Sequence, residues 1–265
     1  MTAPTRHTLS GPAQLPMYDW PEIRDETDRL WLAVRQHLAD QGFAAPADLD
    51  RERPVSDCWA APDLVFSQTC GLPYVESLGD SVTLLGRPTY AAPGAGDGSY
   101  SSAIIVRYGD PMTSLADAAG RRVACNGPNS QSGWAALQAL LPGGCSLRDY
   151  FGTVTISGGH RQSIQAVAAG DADIAAIDCV AWALALRYEP AARQVRTLTW
   201  SKPAPSLPYI TAAARHPDEA SILKSALRRA VATLPVTVRK ALMLSTICDA
   251  APADYACLRR SRAAA

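Results

Sequence analysis

After Pro21, apolar residues recur at Ile23, Leu30, Trp31, Val34 and Leu38, the spacing of a helix that buries one face. Pro21 sits at the entrance, Glu22, Asp25 and Glu26 fall in the first turn, and the pattern stops near Gly42. Residues 13–18 before it predict a short strand. The stretch "DLVFSQTCG" (63–71) predicts a compact apolar strand that runs into a polar turn. Two further β segments, "SVTLLGRPTYAA" and "YSSAIIVRY", flank the loop "PGAGDG". That loop is followed by β-branched residues and not by a helix, so it reads as a hairpin or connector turn, not a phosphate loop.

From about residue 110 the pattern changes to regular β-α alternation. A short helix at "SLADAAG" precedes the strand "RRVACN". A helix from Ser130 follows, with Trp134, Leu137, Leu140 and Leu141 on one face. Then come the strand "TVTIS", a helix over 160–169 with Ile164, Val167 and Ala168 inward, the strand "DIAAID" and the helix "CVAWALALRY". Such alternation implies a parallel sheet covered on both faces. Two later helices, "DEASILKSALRRAVATL" and "VTVRKALML", have no strand between them and are expected to pack back on the first part of the chain. The expected architecture is two α/β lobes, the second inserted into the first. Residues 1–103 and 201–265 make the first lobe and 104–200 the second.

Composition narrows the function classes. The chain has 265 residues, 48% of them hydrophobic and 19% charged, a globular balance with enough length for a substantial core. Lys plus Arg and Asp plus Glu both number 25, so no global field draws in nucleic acid or an anionic membrane. Arg259, Arg260 and Arg262 read as a solvated terminus. No apolar run reaches the roughly 18 residues of a transmembrane helix, so no membrane insertion is expected. The opening "MTAPTRHTLSGPAQLPMYDW" carries no apolar stretch of secretory length, which places the chain, as written, in the cytoplasm. Seven cysteines without a C-x-x-C pair suit reduced, buried thiols, and a Cys248–Cys257 pair stays open for an oxidising compartment. His7, His37, His160 and His216 are scattered without ligand spacing, so neither metal nor cofactor is expected.

Ligands of α/β sheets sit beyond the carboxyl ends of strands, where helix N-termini converge. Three turns carry polar residues there: "NGPNSQSG" (126–133), "SGGH" (157–160) and "AID" (176–178). Each has two readings. Asn129 or Ser130 caps a helix, or the start at Ser130, Gln131, Ser132 and Gly133 offers N–H groups and hydroxyls to an oxyanion. His160 is a neutral surface histidine, or a cation whose conflict with the helix dipole is offset by a bound anion. Asp178 is an N-cap or part of the same site. Successive turns of one sheet approach each other in space, so the three are read together.

The stretches "PNSQSGWAALQALL", "SGGHRQSIQAVAAGDADIAAID" and "GSYSSAIIVR" resemble the phosphate/phosphonate substrate-binding proteins of ABC importers. The openings "LPMYDWPEIRDETDRLW" and "DLVFSQTCGLPY" resemble a branch of that family, so the similarity spans about residues 14–250. It implies the two-lobe α/β fold of type 2 periplasmic binding proteins and an oxyanion held between the lobes. By the family's Ser-x-Ser-Gly helix start and its histidine after glycine, the implied ligand residues are Ser130, Gln131, Ser132 and His160, with Tyr100 at the lobe crossing. Asp178 matches the family's acidic group by position, not by motif. Tyr18, Gln68 and Thr69 face the cleft from the first lobe by the strand-end argument. The chain departs from the family in Gln131 between the serines and in Trp134.

The leading expectation is therefore a non-catalytic protein that closes on a small oxyanion, a phosphonate or phosphate ester. An ABC permease is its partner if the chain is exported, as the family typically is to the periplasm. The alternative is a cytoplasmic enzyme of the same fold acting on a small anionic metabolite, or a ligand sensor. No catalytic residues are assigned: there is no Ser-His-Asp order, no motif cysteine beside a histidine and no paired carboxylates in the expected cleft.

Overall fold

The computed structural model describes residues 7–259. Arg260 and Arg262, and the first six residues of the stretch read for an export signal, lie outside them. The chain divides into two compact units, one from residues up to Ala91 together with Pro205–Arg259, the other Ala92–Ala204.

In the first unit, helix Arg24–Ala39 follows a 3₁₀ turn Pro21–Ile23 and buries Leu30, Trp31, Val34 and Leu38, the face its spacing predicts. It packs against helix Pro217–Thr233, which buries Leu223, Ala226, Leu227, Ala230 and Val231. A five-stranded sheet runs in the order Leu244–Cys248, Val82–Tyr90, Tyr209–Ala212, Phe66–Gln68, Ala13–Gln14. Only the last pair is parallel. Helix and sheet are joined by an aromatic stack, with Trp31 and Tyr209 each 5.5 Å from Phe66. A one-residue slip would turn these rings to the opposite face, so the stack fixes the register.

Two expectations change here. The strand expected over 13–18 is confined to Ala13–Gln14, because Tyr18 turns into the left-handed region (φ 64°) and its carbonyl accepts from Trp20 N at 2.8 Å. The helix expected over "VTVRKALML" ends at Ala241. Met243, also left-handed (φ 52°), turns the chain into Leu244–Cys248, an edge strand on Val82–Tyr90.

The second unit holds a five-stranded sheet in the order Thr153–Ile156, Arg122–Cys125, Ile174–Asp178, Ser102–Arg107, Val195–Trp200. The strands of the β-α alternation share one direction, but the sheet is not wholly parallel as expected. Ser102–Arg107 lies between Ile174–Asp178 and Val195–Trp200 and runs against both. This strand brings the chain into the unit before the alternation begins, so no crossover helix fixes its direction. Ile174–Asp178 is buried along its whole length, as a doubly covered strand must be. One core gathers Ile104, Val106, Val123 and Ile174 with Trp134 and Leu137, and helix His160–Ala169 lays Ile164 and Val167 on the sheet. The loop 93–98 forms, with the residues that follow it, a small hairpin of Ala95–Gly96 with Ser99–Tyr100.

Candidate functional site

In the second unit, three strand ends feed the three polar turns. After Arg122–Cys125, Ser130 caps the next helix by accepting from Gly133 N at 2.9 Å. The helix opens with a wide turn, because both Trp134 N and Ala135 N reach the Ser130 carbonyl, at 3.2 and 3.1 Å. Gln131 and Ser132 are buried at this turn. The second turn is stitched to the first: Ser157 N donates to the Cys125 carbonyl (2.8 Å) and Gly158 N to the Asn126 carbonyl (3.1 Å). Gly158 holds φ +88°, which glycine adopts without strain, and this brings Gly159 into place ahead of His160–Ala169. At the third turn Asp178 Oδ1 accepts from Val180 N (2.8 Å) and Ala181 N (3.2 Å).

These turns meet at His160. Its Nε2 lies 2.9 Å from Ser132 Oγ and 3.4 Å from Asp178 N. A backbone N–H only donates, so Nε2 is the acceptor and the Ser132 hydroxyl donates to it. Nδ1 is sealed from solvent. Burial pushes the imidazole down to about 4, offset in part by the Ala176 carbonyl. His160 is therefore neutral at physiological pH. Of the two readings from the sequence, the neutral one agrees with the ring as it stands, except that the ring is half-buried and not at the surface.

The structure brings Ser130, Gln131, Ser132, His160 and Asp178 together, with Ser130 and Asp178 each occupied as a helix cap. Tyr100 belongs to the same unit and is buried in the hairpin strand Ser99–Tyr100. Asn126 was not read as a site residue, yet its Oδ1 is buried without a partner among the described residues. A Cβ at Gly133 would stand 2.4 Å from that oxygen, so a larger residue there would have to displace the Asn126 side chain. Gly133→Ala is expected to cost about 1–3 kcal/mol of stability in urea unfolding, and Asn126→Ala in the same chain should recover most of it. Equal loss in the double variant would show that the contact is not the cause.

In the first unit, Gln68 is buried and its Nε2 donates to Tyr90 Oη and to the Leu207 carbonyl, both at 3.1 Å. Tyr18 meets Tyr90 edge-on at 5.5 Å. Burial raises the Tyr209 phenol above its ordinary range, opposed by a hydrogen bond with Tyr90. Tyr90 and Tyr209 thus join Tyr18 and Gln68, although no motif marked them. The left-handed Tyr18 is followed by Asp19, which accepts from Arg51 Nε at 2.7 Å. Thr69 is turned inward: its hydroxyl donates to the Cys70 carbonyl (3.2 Å) and its N–H to the Pro208 carbonyl (3.0 Å). Cys179 is buried in its helix, and burial raises its thiol above the usual range.

Among the described residues no cluster of metal-binding side chains occurs, and no helix is long and apolar enough to cross a membrane. Cys248 and Cys257 are unbridged.

The fold is shared with solved proteins. The PhnD1 protein of Prochlorococcus marinus, in complex with methylphosphonate, is 13% identical with a TM-score of 0.70, covering 97% of this chain and 96% of its own. A binding protein component of an ABC phosphonate transporter from Pseudomonas aeruginosa is 14% identical, also at 0.70, covering 94% and 83%. XAC2383 of Xanthomonas citri, solved with chloride, is 16% identical at 0.66, covering 96% and 95%. No curated protein matches the chain in sequence. The family described as the periplasmic substrate-binding protein of the phosphonate ABC transporter matches residues 63–251. Its description is periplasmic, and the cytoplasmic placement expected from the opening residues has no support beside it. By that match, together with two α/β units of the binding-protein fold, the chain belongs to the periplasmic substrate-binding proteins of phosphonate ABC transporters.

Proposed function

We propose that the chain is a non-catalytic receptor for a phosphonate or phosphate ester, with Ser132 and His160 at the centre of its site. The observation that supports this best is the Ser132–His160 hydrogen bond, made by neutral groups at the meeting of three turns. A hydroxyl that donates to an imidazole can swing to donate to an anion. The neutral Nε2 it leaves is an acceptor, and it suits a ligand that keeps one proton. A phosphonate, with a second pKa of about 6 by analogy with phosphoserine, keeps that proton in part near neutral pH, whereas sulfate does not. Gln131, Ser130 and Asp178 support the same turn, and Tyr100, Tyr18, Gln68 and Thr69 complete the proposed contacts. Within this reading the protein works in the periplasm and delivers its ligand to an ABC permease.

Titration calorimetry with methylphosphonate, phosphate and sulfate tests it. One site per chain and phosphonate binding at least about tenfold tighter than sulfate are expected, with the ligand recovered intact. Equal affinity for sulfate would remove the role of the neutral acceptor. Consumption of the ligand would make the chain an enzyme.

A further inference from the structure

A hollow of about 390 Å³ lies wholly within the first unit, against the strand Ala13–Gln14, the start of helix Arg24–Ala39 and the segment 49–55. None of the residues proposed above as ligand contacts lines it. Gln14 is buried in its wall. The Gln14 Nε2 donates to the Arg53 carbonyl at 3.0 Å, which fixes the orientation of the amide. Its Oε1 is then left buried without a partner among the described residues, an acceptor that calls for a donor the chain does not supply. The charges of the lining balance, with Asp19, Asp50 and Glu52 against Arg24, Arg51 and Arg53. Most are committed to one another. Arg51 holds Asp19 and, outside the lining, Asp28, each at 2.7 Å, and Arg53 lies 3.4 Å from Asp50. Two remain for a ligand. The exposed Glu52 carboxylate has no partner among the described residues. Arg24, also exposed, stands 4.0 Å from an Asp19 carboxylate that Arg51 already holds. Leu15, Leu49 and Val55 give the same hollow an apolar wall.

We propose that this hollow is a second binding site, for a small zwitterion of the α-amino-acid type with an apolar side chain. The ammonium brings three donors, one for Gln14 Oε1 and others for the Glu52 carboxylate. The ligand carboxylate meets Arg24, and the side chain covers Leu15, Leu49 and Val55. A ligand of one sign alone would leave Glu52 or Arg24 unanswered and add net charge to a balanced wall. The volume, within the range of small-molecule sites, has room for an amino acid. The proposal stands independently of the phosphonate reading, since it uses no residue of that site.

Titration calorimetry on the unmodified chain compares L-leucine with 4-methylpentanoate, which lacks the ammonium, and 3-methylbutylamine, which lacks the carboxylate. Leucine is expected to bind with a Kd of about 1 mM or tighter, and each truncated compound at least about tenfold more weakly. Glu52→Gln and Arg24→Gln, both at exposed positions, should each weaken leucine binding at least about threefold without moving the urea midpoint. Gln14→Leu, which removes the buried acceptor, should weaken it at least about tenfold. If that variant fails to fold, the two exposed variants decide. No leucine binding at about 10 mM would overturn the proposal and leave the phosphonate reading untouched. So would a truncated compound that binds as tightly as leucine, or an unchanged leucine affinity in either exposed variant.

Discussion

Lowering the pH from about 6.5 to about 4 is expected to cost the fold about 3 kcal/mol through His160 alone. Burial depresses the imidazole in the folded chain, so it stays neutral there while the unfolded chain takes up a proton below the ordinary value of 6.5. The stabilisation is fully present above that value and shrinks as the pH falls. It levels off near 4, where the folded form also protonates. Urea midpoints at pH 7, 5.5 and 4.5 measure this. His160→Gln, which keeps a hydrogen-bonding side chain without a titrating group, should flatten the profile in that window. Asp173 and Glu189, held below their ordinary values by Arg122 and Arg161, act at lower pH and remain in the variant as background. If His160→Gln follows the same slope as the unmodified chain, the ring is not buried as neutral imidazole.

Ser132→Ala should weaken phosphonate binding about tenfold to a hundredfold, the loss of one hydroxyl donor to a charged oxygen. Its effect on stability should be only about 1 kcal/mol, since it removes the 2.9 Å contact with His160 and opens little space. Ser130→Ala should behave in the opposite way. Losing the cap on Gly133 N costs about 0.5–2 kcal/mol of stability, with a smaller effect on affinity. The contrast separates a ligand contact from a scaffold contact within one turn. Full affinity in Ser132→Ala, measured by calorimetry at the same pH, would remove that residue from the site.

Local signals located most of this. Helices His160–Ala169 and Cys179–Tyr188 begin and end where their apolar spacing and the glycines predict. The polar turns at their entrances were legible for the same reason. What was hidden depends on pairing across the chain. The apolar run in Ser102–Arg107 is the same whichever way the strand runs, so its reversal left no mark in the pattern. Leu244–Cys248 continues an apolar run, and only the turn at Met243 separates it from the helix before it. Tyr90 and Tyr209 become neighbours of Gln68 through strands far apart in sequence. Which of the two protonation states offered for His160 holds depends on burial by segments it does not adjoin, so the local pattern did not decide it.

The division of the chain also sets an order of assembly. Residues 92–204 form one unbroken unit, whereas the other unit joins both ends of the chain. Its helices Arg24–Ala39 and Pro217–Thr233 touch at His37 Nε2 and Thr233 Oγ1, 3.0 Å apart and 196 residues distant in sequence. Strand Val82–Tyr90 waits for both of its sheet partners until Tyr209–Ala212 and Leu244–Cys248 have been made. During synthesis the middle of the protein can therefore fold on the nascent chain while the amino-terminal segment still lacks its sheet. Folding of the middle draws the two distant segments into reach and reduces the entropy of closing so long a loop. The last step joins segments far apart in sequence, and strand Val82–Tyr90 keeps unpaired edges until the carboxyl-terminal residues arrive.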